Sequence, residues 1–259
     1  MTHNFIKKKQ VIYFLISASK SKLIYTDIFF IVLALFLGFI SWKNIINHIP
    51  IHLGLEYDHS IPNIYNFLKW MAVSYAFFAL WTHSLQIIHA VLSVIFIFIF
   101  FDDSFELHEK INAILSQLSG VPAHYAGAFL LMALAFTAGL LTWFAVKKSS
   151  NESRAQAKIV IILLGFLVIV GGGLDTFQSE IRDIFPRKYS WHLAYAVGVL
   201  EDGLELIIAS LVLLASRTFL KEYIKKNSNS IHNDPRCTTT IARFARDAEP
   251  RAGHQSEDG

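Results

Sequence analysis

Between Lys69 and Asp102 the chain runs for 32 residues without a single Asp, Glu, Lys or Arg. A helix needs roughly 20 apolar residues to cross a hydrocarbon core of about 30 Å, so this run is too long for one ordinary span and too short for two. Extending it back to Pro62 resolves the difficulty. Residues 63–80 then form one helix, Trp81-Thr82-His83-Ser84 a tight turn, and residues 85–101 a second helix. The extension leaves Lys69 inside a span.

The same reading gives a first span at residues 23–42, with Asp27 near its start, and three more at residues 123–146, 157–174 and 191–216. Composition agrees: 54% of residues are apolar, 17% are charged and mean hydropathy is +0.44. Soluble domains carry about 25% charged residues, so the apolar excess must face something other than water. A soluble globular enzyme and a wholly disordered chain are both excluded. The expected fold is an all-α, polytopic membrane bundle of about six transmembrane helices, occupying residues 23–216.

Lys and Arg beside spans accumulate on the cytoplasmic side. With the N-terminus inside, the inner segments hold Lys7, Lys8, Lys9, Lys20, Lys22, Lys147, Lys148, Arg154, Lys158, Arg217, Lys221, Lys225 and Lys226. The outer segments hold only Lys43, Lys110, Arg182, Arg187 and Lys188. Reading residues 70–101 as one span destroys this bias. Six spans with both termini cytoplasmic, in the cell inner membrane, are therefore expected. Trp42, Trp81, Trp143 and Trp191 then fall at the interfaces, where indoles prefer to sit.

Residues 1–22 read as a basic cytoplasmic lead-in without a cleaved signal, because the apolar run at residues 11–18 is at the lower limit for a signal peptide. Residues 217–259 read as a cytoplasmic tail, largely disordered from Asn227 onward. The lone Cys237 excludes an internal disulfide and a cysteine zinc site. The basic residues lie in short clusters beside apolar runs, a pattern of membrane topology; the partner expected is the lipid bilayer, and nucleic acid is not.

The acids gather at the opposite end. Asp102, Asp103, Glu106, His108 and Glu109 follow the third span, and Asp175 follows Gly171-Gly172-Gly173 at the end of the fifth. Glu201, Asp202 and Glu205 lie within the sixth; at 1.5 Å per residue, Glu201 stands about 15 Å below Trp191. Asp102, Glu106 and Glu109 share one helical stripe, as do Glu201 and Glu205. Carboxylates stacked in this way repel, and in hydrocarbon they persist only with protons, a cation or a basic partner. Basic or polar partners within the spans are scarce: Lys69, His83, His89, His124 and His192.

Two chemistries fit. Imidazole and carboxylate together suit a divalent metal such as zinc, iron or manganese, which activates water for hydrolysis of a lipid or lipid-linked substrate. The ligands would come from Glu109, His108, Glu201 and Glu205, then Asp102, Asp103, Asp175 and Asp202. Alternatively the acids exchange protons or a cation as part of a transport path. A third reading makes them neutral hydrogen-bonding bridges between helices. Glu106 reads as a water-facing helix-end residue, and Asp27 as a solvated acid at the favourable positive end of its helix. His48, His52 and His59, in a loop with Pro50 and Pro62, read as surface residues.

The segment Phe101-Asp102-Asp103-Ser104-Phe105-Glu106-Leu107-His108-Glu109 resembles a pattern in an uncharacterised group of bacterial multi-span inner-membrane proteins, where a span ends in Asp-Glu and His-Glu follows after four residues. Leu200-Glu201-Asp202-Gly203-Leu204-Glu205 is similar to that group's Glu-Glu-x-x-Glu in the last span, and residues 171–175 to its Gly-rich span ending in an acid. The resemblance covers about residues 23–220. Asp103 and Asp202 stand where Glu is usual, one methylene shorter. The resemblance implies a membrane location and a shared acidic site, and no activity. Intramembrane metal hydrolases such as alkaline ceramidases and adiponectin receptors carry His-x-x-x-His in a late helix; no such pair lies in a late span here. Glu106-Leu107-His108 also lacks the Glu-x-x-His spacing of ferritin-like di-iron proteins.

Overall fold

A computed structural model describes residues 21–42, 53, 55, 60–121, 123–184 and 187–232. Residues 1–20 of the basic lead-in, His48, His52, His59 and most of the tail lie outside the described residues. Contacts divide the chain into a unit of Met1–Phe219 and a second of Leu220–Gly259. The second unit contains the end of the last helix. All that follows concerns the first.

Among the described residues every element is helical: α1 Lys22–Trp42, α2 Ile61–Ser84, α3 Ile87–Phe105, α4 Leu107–Ser119, α5 Ala123–Lys148, α6 Asn151–Ile184 and α7 Arg187–His232. The all-α expectation holds. Four of these helices are long and apolar enough to cross a membrane: Lys22–Ser41, Ile87–Phe105, Tyr125–Lys148 and Asn151–Leu174. The charges that interrupt the other two long helices, Lys69 in α2 and the acids of α7, are the ones that build the sites described below.

The bundle is apolar on its outside. On α1 the inward stripe is Asp27, Ala34 and Leu37, while Phe29, Val32, Leu35, Phe36 and Phe39 are exposed. In water such a surface would be an aggregation liability, whereas in lipid it is the favourable face.

Neighbouring helices run antiparallel. The α2–α3 hairpin is pinned at its middle by Ser74 Oγ donating to Ser93 O (2.9 Å) and Ser93 Oγ donating to Ser74 O (3.0 Å). Small hydroxyl residues let two backbones approach closely without stranding a polar group. Trp70 and Phe77 of α2 both stack against Phe96 of α3. Between α1 and α7, Tyr195 Oη donates to Ala34 O at 3.0 Å, and Gly38 lies so close to the Tyr195 ring that a Cβ there would stand 2.4 Å from it. Gly203, farther along α7, gives Ile31 the same kind of room.

Helix ends have local causes. Ser60 caps α2 by accepting from Asn63 N–H, with Pro62 in the first turn. The expected turn at residues 81–84 is instead the last turn of α2, and the chain reverses at Leu85-Gln86. Thr82 and Ser84 satisfy their hydroxyls by donating back to Ala79 O and Leu80 O, so they fit a helix, and Leu85 takes the left-handed conformation (φ 53°) that closes it. The single helical stripe expected for Asp102, Glu106 and Glu109 is not present: α3 ends at Phe105, Glu106 takes the left-handed conformation, and Glu109 belongs to a separate helix, α4, whose 13 residues at about 20 Å are too short to cross a bilayer. α6 and α7 extend beyond their expected spans at both ends.

Two links place the turns. Ser150 N–H donates to Gln86 Oε1 at 2.8 Å, so the α2–α3 and α5–α6 turns share one end of the bundle. At the other end Tyr125 Oη donates to Glu180 Oε1 and Gln178 Nε2 to Ala194 O. The last turn of α3 and α4 belong to this second end.

Candidate functional site

The break between α3 and α4 creates the site. α3 ends with Glu106 in the left-handed region (φ 52°), its N–H donating to Asp102 O. The turn swings His108 back over Asp102. Asp102 Oδ1 then accepts from His108 N–H at 2.9 Å, capping the N-terminus of α4, and Asp102 Oδ2 lies 3.1 Å from His108 Nδ1. A carboxylate at Nδ1 makes that nitrogen the donor and leaves Nε2 as the basic position of the ring.

From α7, Glu205 approaches the same pair. Its carboxyl is within electrostatic range of Asp202, His108 and Asp102, and Asp103 is within range of Glu205, Asp102 and His108. Three acids from two helices, Asp102, Asp103 and Glu205, thus converge on one imidazole, with Asp202 beside Glu205. Trp70 of α2 stands beside Asp103, with its Nε1 buried. Gly171 of α6 makes room on the other side: a Cβ there would lie 3.0 Å from Glu205 Oε1. The glycine run before Asp175 therefore has a packing reason at its first member.

The remaining sequence candidates are placed less centrally. Glu201 and Asp202 are half-buried on α7 one turn from Glu205. Glu109 belongs to α4 and Asp175 to α6, and their side chains, like that of His124, lie outside the described ones. Glu106 Oε2 is 3.9 Å from Lys110 Nζ, four residues on, as suits a helix-end acid. His83 is exposed, and His192 is half-buried. His89 is buried, with Nδ1 2.9 Å from Ser84 Oγ. Among the described residues, no three His, Cys, Asp or Glu side chains stand at metal-coordination spacing.

One expectation is overturned. Asp27 is not a solvated helix-start acid: its side chain has no exposed surface, and its Oδ1 accepts from Lys69 Nζ at 2.9 Å. Lys69 also donates to Leu206 O at 2.8 Å and to Ser210 Oγ at 3.2 Å. The reason is the cost of isolating Lys69. A charge within an apolar bundle needs a counter-charge, and α1 supplies it. Leu206 is the residue after Glu205 and Lys69 the residue before Trp70, so this second polar centre adjoins the first along both α2 and α7.

A family model described as Domain of unknown function (DUF8692) matches residues 28–218. The chain belongs to the DUF8692 family. The match takes in α2 to α6, α1 from Ile28 onward and α7 up to Thr218, so it includes the acidic centre and Lys69 and begins one residue after Asp27. This accords with the expected membership of an uncharacterised family. No curated protein and no solved structure matches the chain.

Proposed function

We propose that this DUF8692 member is a six-span inner-membrane protein whose acidic centre is an outward-facing cation site taking a divalent metal. The observation that carries the reading is the contact between Asp102 and His108, with Asp103, Asp202 and Glu205 gathered around it. Carboxylates collected this way need protons, a cation or a basic partner, and an imidazole oriented through Nδ1 by a carboxylate is the arrangement metal-binding histidines use.

His108 and Glu205 would hold the ion, with Glu109, Glu201, Asp103, Asp202 and Asp175 as further donors and Asp102 orienting the ring. Zinc, iron or manganese suits this donor set. The metal would supply Lewis acidity or an activated water, and a spare carboxylate would serve as general base for hydrolysis of a lipid or lipid-linked substrate. The alternating helix directions and the basic residues near Gln86 and Ser150 support placing both termini in the cytoplasm. The motifs shared with bacterial multi-span proteins support the same location.

A second reading, proton- or cation-coupled transport, is favoured by the buried Lys69 and Asp27 pair, which continues the line of ionisable groups into the bundle. Thermal unfolding in detergent tests the metal reading. Zinc, iron or manganese should raise the melting temperature of the wild type, and a chelator should reverse the rise. Equal melting of the wild type and Glu205→Gln under all these conditions contradicts it.

A further inference from the structure

The Lys69 ammonium sits in a shell of oxygens drawn from two other helices. The carboxylate of Asp27 comes from α1; the carbonyl of Leu206 and the hydroxyl of Ser210 come from α7, at 2.8 to 3.2 Å from the nitrogen. Below it the Tyr65 ring lies 4.4 Å from the nitrogen. One carboxylate with neutral carbonyl and hydroxyl oxygens is a donor set for a hard cation, and backbone carbonyls coordinate sodium in transporters where helices unwind. Lysine brings the cation on a tether.

The pocket also holds more oxygen than Lys69 can satisfy. All three N–H groups of the ammonium are engaged, and Asp27 Oδ2 and Tyr65 Oη are buried beside them, near Ser210 and, for Tyr65, Thr26. Both Asp27 and Ser210 have no exposed surface. The titratable groups facing Lys69 are Asp27 from α1 and Tyr65 from its own helix; α7 contributes only the neutral Ser210 and a backbone carbonyl, and Thr26 of α1 is also neutral.

We infer that the Asp27 pocket is a second cation site, in which a small monovalent cation such as sodium exchanges with the Lys69 ammonium. In the exchange an N–H bond of Lys69 breaks, the proton passes to water, and the neutral amine withdraws. The incoming cation takes the oxygens of Asp27, Leu206 and Ser210. The charge of the pocket is unchanged, with one proton released for each cation bound. The inference deepens the transport reading and does not depend on a metal at the outer cluster.

The test is proton release from the full-length protein in weakly buffered detergent on addition of sodium chloride, with choline chloride as control, stepped from neutral to mildly alkaline pH. Release of about one proton per chain, specific to sodium, is expected for a coupled site. The release should vanish in Asp27→Asn and persist in Glu222→Gln, a change at an exposed acid far along α7. A second measurement uses Lys69→Ala, where sodium should raise the melting temperature by about 4 °C or more over choline because it fills the vacated charge position. No sodium-specific release from the wild type, or release that survives Asp27→Asn or disappears in Glu222→Gln, overturns the inference. Loss of stability in Lys69→Ala that sodium does not restore also counts against it.

Discussion

Lys69 Nζ stands 2.9 Å from Asp27 Oδ1, joining α2 to α1 across 42 residues of sequence, with 2% and 0% of the two side chains exposed. A pair this enclosed is expensive to form and more expensive to break, because removing one partner strands the other charge. Asp27→Ala or Lys69→Ala should each destabilise the protein by about 3–5 kcal/mol, whereas Asp27→Leu combined with Lys69→Met should recover most of the loss. Denaturation in detergent reads the difference. A loss in the double variant as large as the two single losses added together would show that the charges do not depend on one another.

Much of this architecture was legible in the charges and apolar runs. The uncharged stretch between Lys69 and Asp102 required a hairpin, and a hairpin is present. Its turn lies a few residues later than expected because Thr82 and Ser84 bond back to their own helix. The convergence of Asp102, Asp103 and Glu205 followed from their common end of the bundle. What could not be read was pairing. Asp27 resembled any acid at a helix start until Lys69 was seen opposite it, and the αL residue Glu106, which turns His108 onto Asp102, carries no glycine to announce it. The signal for Asp27 did exist, since a lysine within a span demands an acid at matching depth.

Leu85 occupies the left-handed region although its side chain is 77% exposed, so its contacts offset little of the backbone cost. Such a conformation costs an L-residue roughly 1–2 kcal/mol and costs glycine almost nothing. Leu85→Gly should therefore raise stability by about 1 kcal/mol in the same unfolding assay. A decrease would mean that the leucine anchors the turn in the interface.

Two glycines of similar helical position should behave oppositely. At Gly38 a Cβ would meet the Tyr195 ring at 2.4 Å, and that ring is held by its bond to Ala34 O, so Gly38→Ala should cost about 1–3 kcal/mol through overpacking. At Gly139 nothing lies within 4 Å, and Gly139→Ala should gain up to about 1 kcal/mol from helix propensity. The melting temperatures of the two variants, measured side by side, decide the matter.

The topology has its own check. After Cys237→Ser, single cysteines at Gln86 and Ser150 should react with an impermeant thiol reagent from the cytoplasmic side, and one at Lys110 from the opposite side. Gln86 and Ser150 must in any case agree, since Ser150 N–H bonds to Gln86 Oε1. Labelling of Gln86 and Lys110 from the same side would overturn the six-span proposal.

The acidic centre around His108 is proposed to bind a divalent metal, and elemental analysis of purified full-length protein tests this most directly. After exposure to zinc, iron or manganese and removal of free metal, the wild type should retain about one ion per chain, as expected for a specific site. His108→Ala and Glu205→Gln should retain markedly less. Metal no higher in the wild type than in the buffer blank, or equal in all three proteins, would contradict the account.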